Sequence, residues 1–248
     1  MKSVTKKQKK RLRLVVVLVI ASILIGGSFV YLNDYYHGDM VAIENYNPEN
    51  QVEKQTLADN MTAYVPKEIK AGFVFYPGGK VESISYEPLM EALASEGIVC
   101  VLVDMPFRLA VLDVNAAEGI QEYFPDVDLW YIGGHSLGGS MAASYLSKHQ
   151  EDYAGLILLG SYSTADFTEG RVDVLSVYGS EDGVMNREKY NGYLNNLPTD
   201  YTEIVIEGGC HAYFGMYGAQ DGDGIPQITN EEQILRTVQS ILNFVTGV

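Results

Sequence analysis

The order of apolar and polar positions divides the chain into an N-terminal apolar stretch and a longer region of alternating strand-like and helix-like segments. From residue 71 onward, nearly continuous apolar runs of five to seven residues are separated by segments whose apolar positions are three or four residues apart. Apolar runs without polar alternation are typical of strands that are buried on both faces. The pattern therefore predicts an α/β fold, in which a mostly parallel central sheet is covered by helices on both faces.

The same pattern gives approximate bounds for each element. Strands are predicted at residues 71–76, 98–103, 129–133, 155–159, 172–178 and 201–206, with one or two edge strands within 52–66. Helices are predicted at residues 86–95, 109–123, 139–146, 186–197 and 231–245. The last helix has the clearest amphipathic spacing, so we expect it to pack one face on the sheet.

The N-terminal segment has the character of a membrane anchor. Residues 1–13 carry seven basic residues and no acidic one, and residues 14–32 carry no charge. At ~1.5 Å per helical residue, this apolar stretch is long enough to cross a hydrocarbon core of ~30 Å. A cleaved signal peptide has a shorter apolar region and a small-residue cleavage site. We therefore predict an uncleaved transmembrane signal-anchor helix at 14–32, with a cleaved signal as the alternative.

The segments on the two sides of this anchor carry opposite charge. The basic residues 1–13 are expected on the cytoplasmic side, which places the rest of the chain on the extracytoplasmic side of the cell membrane. The chain has 17 basic and 32 acidic residues, and seven of the basic ones precede residue 14, so the remainder has a formal charge of −22. Such a surface repels phosphate backbones, which argues against nucleic-acid binding. We assign 33–50 to a juxtamembrane linker and 51–248 to one α/β domain.

A serine lies at the turn between a predicted strand and a predicted helix. Residues 134–138 read Gly-His-Ser-Leu-Gly, with an apolar run before them and small residues after them. This strand–turn–helix context is that of a nucleophile elbow, with Ser136 at its apex. The elbow holds its serine in a strained backbone conformation, so Gly134 and Gly138 are needed to let strand and helix approach each other.

Such a serine needs a base and a carboxylate, which follow it in the chain in α/β-hydrolases. The four histidines are His37, His135, His149 and His211. His211 is the candidate base, because it alone follows a strand late in the chain. The candidate acid is Asp182, which follows the strand at 172–178, and the neighbouring Glu181 is left open.

Two backbone N–H groups are expected to form the oxyanion hole. One is that of Leu137, the residue after the nucleophile. The other should come from the glycine-rich turn after the strand at 71–76, where Gly78, Gly79 and Lys80 are candidates and Gly79 is preferred. Glycines in this turn allow the backbone to direct an N–H group towards the substrate.

The sequence predicts no metal and no cofactor. Residues 221–224 read Asp-Gly-Asp-Gly, which resembles the start of a calcium-binding loop. Ile225 and Pro226 occupy positions that such a loop gives to a ligand and to an obligatory glycine, so we reject this site. Residues 217–226 are instead expected to form a loop beside the active site. We expect no disulfide between Cys100 and Cys210, since Cys100 lies in a predicted core strand.

Five short motifs together resemble one known family. They are 75–81 (FYPGGKV), 103–107 (VDMPF), 133–139 (GGHSLGG), 178–183 (YGSEDG) and 207–211 (EGGCH). In combination they are similar to the α/β-hydrolase fold-5 family, the relatives of dienelactone hydrolases and serine esterases, over roughly residues 71–245. The resemblance implies Ser136, Asp182 and His211 as the catalytic triad. Dienelactone hydrolases proper use a cysteine nucleophile, so Ser136 argues against their substrate. Cys210 also stands where small or amide residues are more usual.

These features predict a membrane-anchored serine hydrolase that acts on a small or surface-exposed carboxylic ester, thioester or amide. Residues 160–171 are too few to form a helical cap domain, so we expect an open site with Ser161, Tyr162 and Phe167 at its rim. Two alternatives remain open, an acyltransferase that uses the same triad and a non-catalytic binding module that retains the fold. The expected partners are the small-molecule ester and the membrane, and the sequence does not indicate an oligomeric state.

Overall fold

The computed structural model describes residues 6–46 and 52–247 and divides into two compact units, one ending at Tyr35 and one beginning at Tyr36. The first unit is a single helix, α1 (Lys6–Asn33). By length and composition, its segment Val15–Asn33 could cross a membrane. A signal sequence near the N-terminus would meet the same criteria. This segment coincides within one residue with the predicted span, and the orientation of the chain stays a prediction.

The second unit is built on one eight-stranded sheet. The strands are β1 (Glu53–Ala58), β2 (Met61–Val65), β3 (Ala71–Tyr76), β4 (Ile98–Val103), β5 (Trp130–His135), β6 (Gly155–Leu159), β7 (Asp173–Gly179) and β8 (Thr202–Ile206). Their order across the sheet is β1-β2-β4-β3-β5-β6-β7-β8. Strand β2 is antiparallel to both of its neighbours, and every pair from β4 to β8 is parallel. The predicted α/β class and mostly parallel sheet are confirmed.

Helices cover both faces of this sheet. They are α2 (Met40–Asn45), α3 (Glu87–Ser95), α4 (Leu137–Leu146), α5 (Arg187–Tyr193) and α6 (Asn230–Thr246). The faces bury different side chains of the same strand, because successive residues alternate. In β3, Phe73 and Phe75 join the core cluster that contains α3 and α6, whereas Val74 and Tyr76 join the cluster that contains α4.

Part of the predicted juxtamembrane linker is folded. Residues 36–46 belong to the second unit, and residues 47–51 lie outside the described residues. The side chain of Asp39 caps α2 by accepting hydrogen bonds from the N–H groups of Val41 and Ala42, and Ile43 is buried in the core. The sequence signal was weak because this helix is only six residues long and buries a single side chain.

The helix predicted at 109–123 is wrong. The structure has two short 3₁₀ turns instead, Ala110–Leu112 and Ile120–Tyr123, which are separated by irregular backbone. Gly119 has a left-handed φ of 76°, which ends any helical run there. The buried hydroxyl of Tyr76 hydrogen-bonds to backbone groups of this irregular segment. It donates to the carbonyl of Val114 and accepts from the N–H of Ala117.

The carboxyl ends of the parallel strands form one edge of the sheet. The glycine-rich turn follows β3, Ser136 follows β5, and the loops after β7 and β8 carry Asp182 and His211. The connection between β6 and β7 contains no helix within its described residues, so the predicted absence of a large cap domain is confirmed. The topology therefore brings all of the predicted site residues to a single edge of the sheet.

Candidate active site

Ser136 occupies the strained turn between β5 and α4. Its backbone dihedrals are φ 51° and ψ −121°, a conformation that L-residues with a side chain rarely adopt. A Cβ atom on Gly134 would lie 2.2 Å from the carbonyl oxygen of Tyr76, and one on Gly138 would lie 2.1 Å from that same oxygen. Neither position has room for a side chain, so the predicted need for both glycines is confirmed.

Hydrogen bonds hold the backbone of Ser136 on both sides. Its N–H donates to the carbonyl of Leu159 at 2.9 Å, and its carbonyl accepts from the hydroxyl of Ser161 at 2.7 Å. Ser161 is therefore a buried support of the elbow and not a rim residue, and Phe167 is also buried in the core. Tyr162 is partly exposed and stacks on Tyr193, with ring centroids 5.5 Å apart.

Asp182 and His211 form a buried pair. Oδ2 of Asp182 lies 2.8 Å from Nδ1 of His211, and each side chain is 1% exposed. Oδ1 of the same carboxylate accepts hydrogen bonds from the N–H groups of Val184 (3.0 Å) and Met185 (2.8 Å). Both oxygens are therefore occupied, which fixes the carboxylate against the imidazole. Glu181, the alternative acid, is directed elsewhere and accepts from the side chain of Gln227.

The second nitrogen of His211 is unoccupied by protein groups. Nε2 is buried and has no hydrogen-bond partner among the described residues, so no bond joins it to Ser136 Oγ in this structure. The imidazole nevertheless lies beside the elbow. Its ring centroid is 4.4 Å from that of His135, and a Cβ atom on Gly160 would lie 3.0 Å from its Nδ1. Catalytic hydrogen bonds of this kind often tighten only when substrate binds.

The other three histidines have different surroundings. His37 lies 3.3 Å from a carboxylate oxygen of Glu82, and His149 stacks on Tyr145 after the end of α4. His135 is buried, and its Nδ1 lies 2.8 Å from the hydroxyl of Tyr86. Burial, together with the neighbouring His211, holds the pKa of His135 well below its usual value of 6.5. His135 is therefore neutral at physiological pH and contributes no charge to the site.

Among the described residues, the turn after β3 has one candidate oxyanion donor whose N–H group is unpaired. The N–H of Gly78 donates to the hydroxyl of Tyr86 at 3.1 Å, and that of Lys80 donates to the carbonyl of Arg108 at 2.8 Å. Within residues 52–247, the N–H of Gly79 has no protein acceptor. Gly79 also lies next to Leu137, since a Cβ atom on it would be 2.9 Å from Leu137 Cδ2. Leu137 is the first residue of α4, so its N–H needs no partner within the helix.

Two supporting residues have no signal in the sequence. Tyr86 joins the N–H of Gly78 to His135 through its hydroxyl, and burial raises the pKa of that hydroxyl so that it stays protonated. Gln233 of α6 is fully buried, and its side-chain amide accepts from the N–H of Cys210 and donates to the carbonyl of Cys210. Tyr86 ends a 3₁₀ turn before α3 and Gln233 lies within α6, and neither residue type at such a position indicates a role at a site.

The cysteines and acidic residues give no sign of other chemistry. Cys100 and Cys210 are both buried and unpaired, and burial, with the nearby Asp223, raises the pKa of the Cys210 thiol to about 12. Cys210 therefore remains a neutral thiol next to His211. Within the described part of the chain, no group of three or more His, Cys, Asp or Glu residues could hold a metal ion, the 221–224 loop included.

Comparison with known proteins identifies a matching family and solved structures with this fold. Residues 72–235 match the sequence profile of a family described as the alpha/beta hydrolase family. A dienelactone hydrolase from Anabaena variabilis is 13% identical, with a TM-score of 0.55, over 79% of this chain and 98% of that one. Est1E from Butyrivibrio proteoclasticus is 16% identical, with a TM-score of 0.53, over 79% of this chain and 100% of that one. At such identities the structural likeness establishes the fold alone. No curated protein matches the sequence significantly.

Proposed function

Because the chain belongs to the alpha/beta hydrolase family, we propose that it is a serine hydrolase that uses Ser136, Asp182 and His211 as its catalytic triad. One observation carries this proposal. In the described residues, the buried Asp182–His211 pair leaves Nε2 of the imidazole without a protein partner, and the ring packs 4.4 Å from that of His135, the residue before a serine that is held in a strained elbow. This is the arrangement in which an imidazole can take the serine proton.

The reaction follows from the groups present. Nε2 of His211 accepts the proton of the Ser136 hydroxyl as Oγ attacks the carbonyl carbon of the substrate. The imidazolium then donates this proton to the leaving group, and an acyl-enzyme remains on Ser136. A water molecule deprotonated by His211 hydrolyses the acyl-enzyme and restores the serine. Asp182 keeps the proton of the neutral imidazole on Nδ1 and stabilises the imidazolium when it forms.

The tetrahedral intermediate carries a negative oxygen. The N–H groups of Leu137 and Gly79 are the donors that we propose for it, since the neighbouring N–H groups of Gly78 and Lys80 are already bonded within the protein. Loss of one such donor typically lowers kcat by ~10²–10³-fold. The fixed orientation of the turn after β3 therefore contributes directly to the rate.

The substrate class that fits this edge of the sheet is a small or surface-exposed carboxylic ester. The connection between β6 and β7 contributes no cap that would enclose a long acyl chain. We further propose that α1 is retained as an anchor, with residues 1–13 in the cytoplasm, so that the enzyme acts on esters at the outer face of the membrane. The acidic domain would stay clear of anionic lipid headgroups and remain accessible to soluble substrates.

The test is covalent labelling with a fluorophosphonate, which requires an activated serine and no knowledge of the substrate. The full-length protein in detergent is treated with the probe, and the modified residue is mapped by mass spectrometry. The controls are Ser136→Ala, His211→Ala and heat-denatured protein, with His149→Ala as a matched histidine variant outside the site. Hydrolysis of p-nitrophenyl acetate by the same variants is then measured.

We expect stoichiometric labelling at Ser136 that is lost in Ser136→Ala and His211→Ala and is retained in His149→Ala. Ester hydrolysis should fall by about 10³–10⁶-fold in the first two variants, as it does when a triad member is removed. Absence of labelling in the folded wild-type protein would refute the proposal, because it would mean that the serine is not activated.

A further inference from the structure

The carboxylate of Asp223 is surrounded by backbone N–H groups from two loops. Oδ1 accepts from the N–H of Gly183 at 3.1 Å, of His211 at 3.1 Å and of Gly224 at 2.9 Å. Oδ2 accepts from the N–H of Ala212 at 2.8 Å. One carboxylate thus binds the residue after the proposed acid, the proposed base itself and the residue after that base.

The segment that carries Asp223 is in direct backbone contact with the loop after β7, which carries Asp182, the proposed acid. A Cβ atom on Gly183 would lie 2.5 Å from the carbonyl oxygen of Gly222, and one on Gly224 would lie 1.9 Å from that of Glu181. Neither glycine has space for a side chain. In the Asp-Gly-Asp-Gly sequence, Gly224 therefore serves close packing, and Gly222 adopts a left-handed φ of 84° that favours glycine. The motif that resembles a calcium loop thus has a different explanation.

The electrostatics agree with an anion that accepts from N–H groups. Burial raises the pKa of Asp223. Hydrogen bonds from the N–H groups of Ala212, Gly183 and His211 and from the Cys210 thiol lower it by more than burial raises it, so the pKa lies below its usual value of 3.8. Asp223 is therefore ionised at neutral pH. Hydrogen bonds from N–H groups to a carboxylate are stronger than those to neutral acceptors.

We propose that Asp223 is a positioning residue that locks the loop of Asp182 to the loop of His211. The inference rests on the proposed function, because the two loops carry the acid and the base of the proposed triad. Asp182 follows β7 and His211 follows β8, so their 2.8 Å contact depends on how two separate loops are held relative to each other. A displacement of ~1 Å between catalytic groups can cost ~10²-fold in rate.

Gln233 provides a useful contrast. Its amide holds both the N–H and the carbonyl of Cys210, so it fixes the His211 loop to α6. In the described part of the chain its side chain makes no hydrogen bond to the Asp182 loop, whereas Asp223 bonds to the Asp182 loop and to the His211 loop. The positioning of the base against the acid is therefore assigned to Asp223, and Gln233 supports the base loop alone.

The experiment compares Asp223→Asn and Asp223→Ala with Asp221→Asn in the full-length protein. Asn has the shape of Asp but replaces one acceptor oxygen with an NH₂ group, which cannot accept from an N–H. Asp221 lies two residues away with an exposed side chain, so it controls for the loss of one loop charge. Two readouts are used, kcat and KM for p-nitrophenyl acetate, and hydrogen–deuterium exchange of the peptides that cover 180–185 and 209–213.

We expect kcat to fall about 10–100-fold in Asp223→Asn and further in Asp223→Ala, with KM changed less than threefold. Exchange at both peptides should accelerate in the two variants and stay at the wild-type rate in Asp221→Asn. If Asp223→Asn is folded and keeps both kcat and slow exchange at the two peptides, the positioning role is wrong. Exchange also separates the two proposals. If the wild-type protein has no hydrolase activity and exchange is nevertheless faster in Asp223→Asn, the positioning role of Asp223 is supported and the hydrolase function is refuted.

Discussion

The hydroxyl oxygen of Tyr86 lies 2.8 Å from Nδ1 of His135 and also accepts the N–H of Gly78 at 3.1 Å. One buried hydroxyl thus connects the turn after β3, which carries the proposed oxyanion donor Gly79, with the residue that precedes Ser136. Its removal should act on the geometry of the oxyanion hole without touching the triad.

Tyr86→Phe leaves the N–H of Gly78 and Nδ1 of His135 without partners. We expect the free energy of unfolding to fall by about 1–3 kcal/mol for each of these two buried groups, the cost of leaving a buried polar group unsatisfied. We also expect kcat to fall by about tenfold, less than for complete loss of an oxyanion donor. Thermal unfolding and ester hydrolysis measure both effects. Tyr217→Phe is the matched control, since that buried hydroxyl bonds to the side chain of Gln220. An equal loss of kcat in both variants would contradict the assignment.

Stability should depend on pH through His135. Burial, and then the neighbouring His211, lower the pKa of His135 far below 6.5 in the folded state. Below about pH 6.5 the unfolded chain binds a proton that the folded chain excludes, so stability falls as the pH decreases. The slope attributable to this group is at most about 1.4 kcal/mol per pH unit.

Urea unfolding between pH 5 and pH 8 measures this slope. His135→Asn removes the titrating group and should flatten the decrease between pH 7 and pH 5, whatever its effect on stability at pH 8. Parallel curves for the variant and the wild type would show that His135 does not contribute to the pH dependence.

Gly138→Ala should destabilise the elbow. The added Cβ would lie 2.1 Å from the carbonyl oxygen of Tyr76 and 2.3 Å from that of Pro77, so the backbone would have to move. We expect a loss of about 1–3 kcal/mol or more in the free energy of unfolding. Gly192 lies in α5 with nothing within 4 Å of an added Cβ, so Gly192→Ala should instead stabilise the protein by about 0.5–1 kcal/mol. Chemical denaturation of both variants checks the difference in sign.

Gln233→Leu should destabilise the protein through the His211 loop. It leaves both the N–H and the carbonyl of Cys210 without the partners that Gln233 supplies, at about 1–3 kcal/mol for each buried group. Gln239→Leu on the same helix is the control, because that side chain is exposed and pairs with Asn243. Differential scanning calorimetry should show a lower Tm for the first variant alone. An equal decrease in Tm in both variants would mean that the substitutions destabilise α6 itself and not the His211 loop.

The sequence determined the order of the elements and the position of the elbow. Near-continuous apolar runs mark strands buried on both faces, and the bounds predicted for β3, β4 and β6 agree with those observed. Gly134 and Gly138 could be interpreted for the same reason, because a strained turn between a strand and a helix has steric requirements that adjacent residues must meet. Information of this kind is local, and the sequence presents it directly.

The tertiary structure decided which groups meet across the edge of the sheet. Asp182 rather than Glu181 contacts His211, and the N–H of Gly79 rather than that of Gly78 is left unpaired in the described residues, because Gln227 and Tyr86 occupy the alternatives. Asp223 reaches the N–H of Gly183 across 40 residues of sequence. No periodicity encodes such contacts, since they depend on where separate loops come together once the strands have been ordered. For the same reason a sequence that resembles a calcium loop became a hydrogen-bonding link between the two loops of the proposed active site.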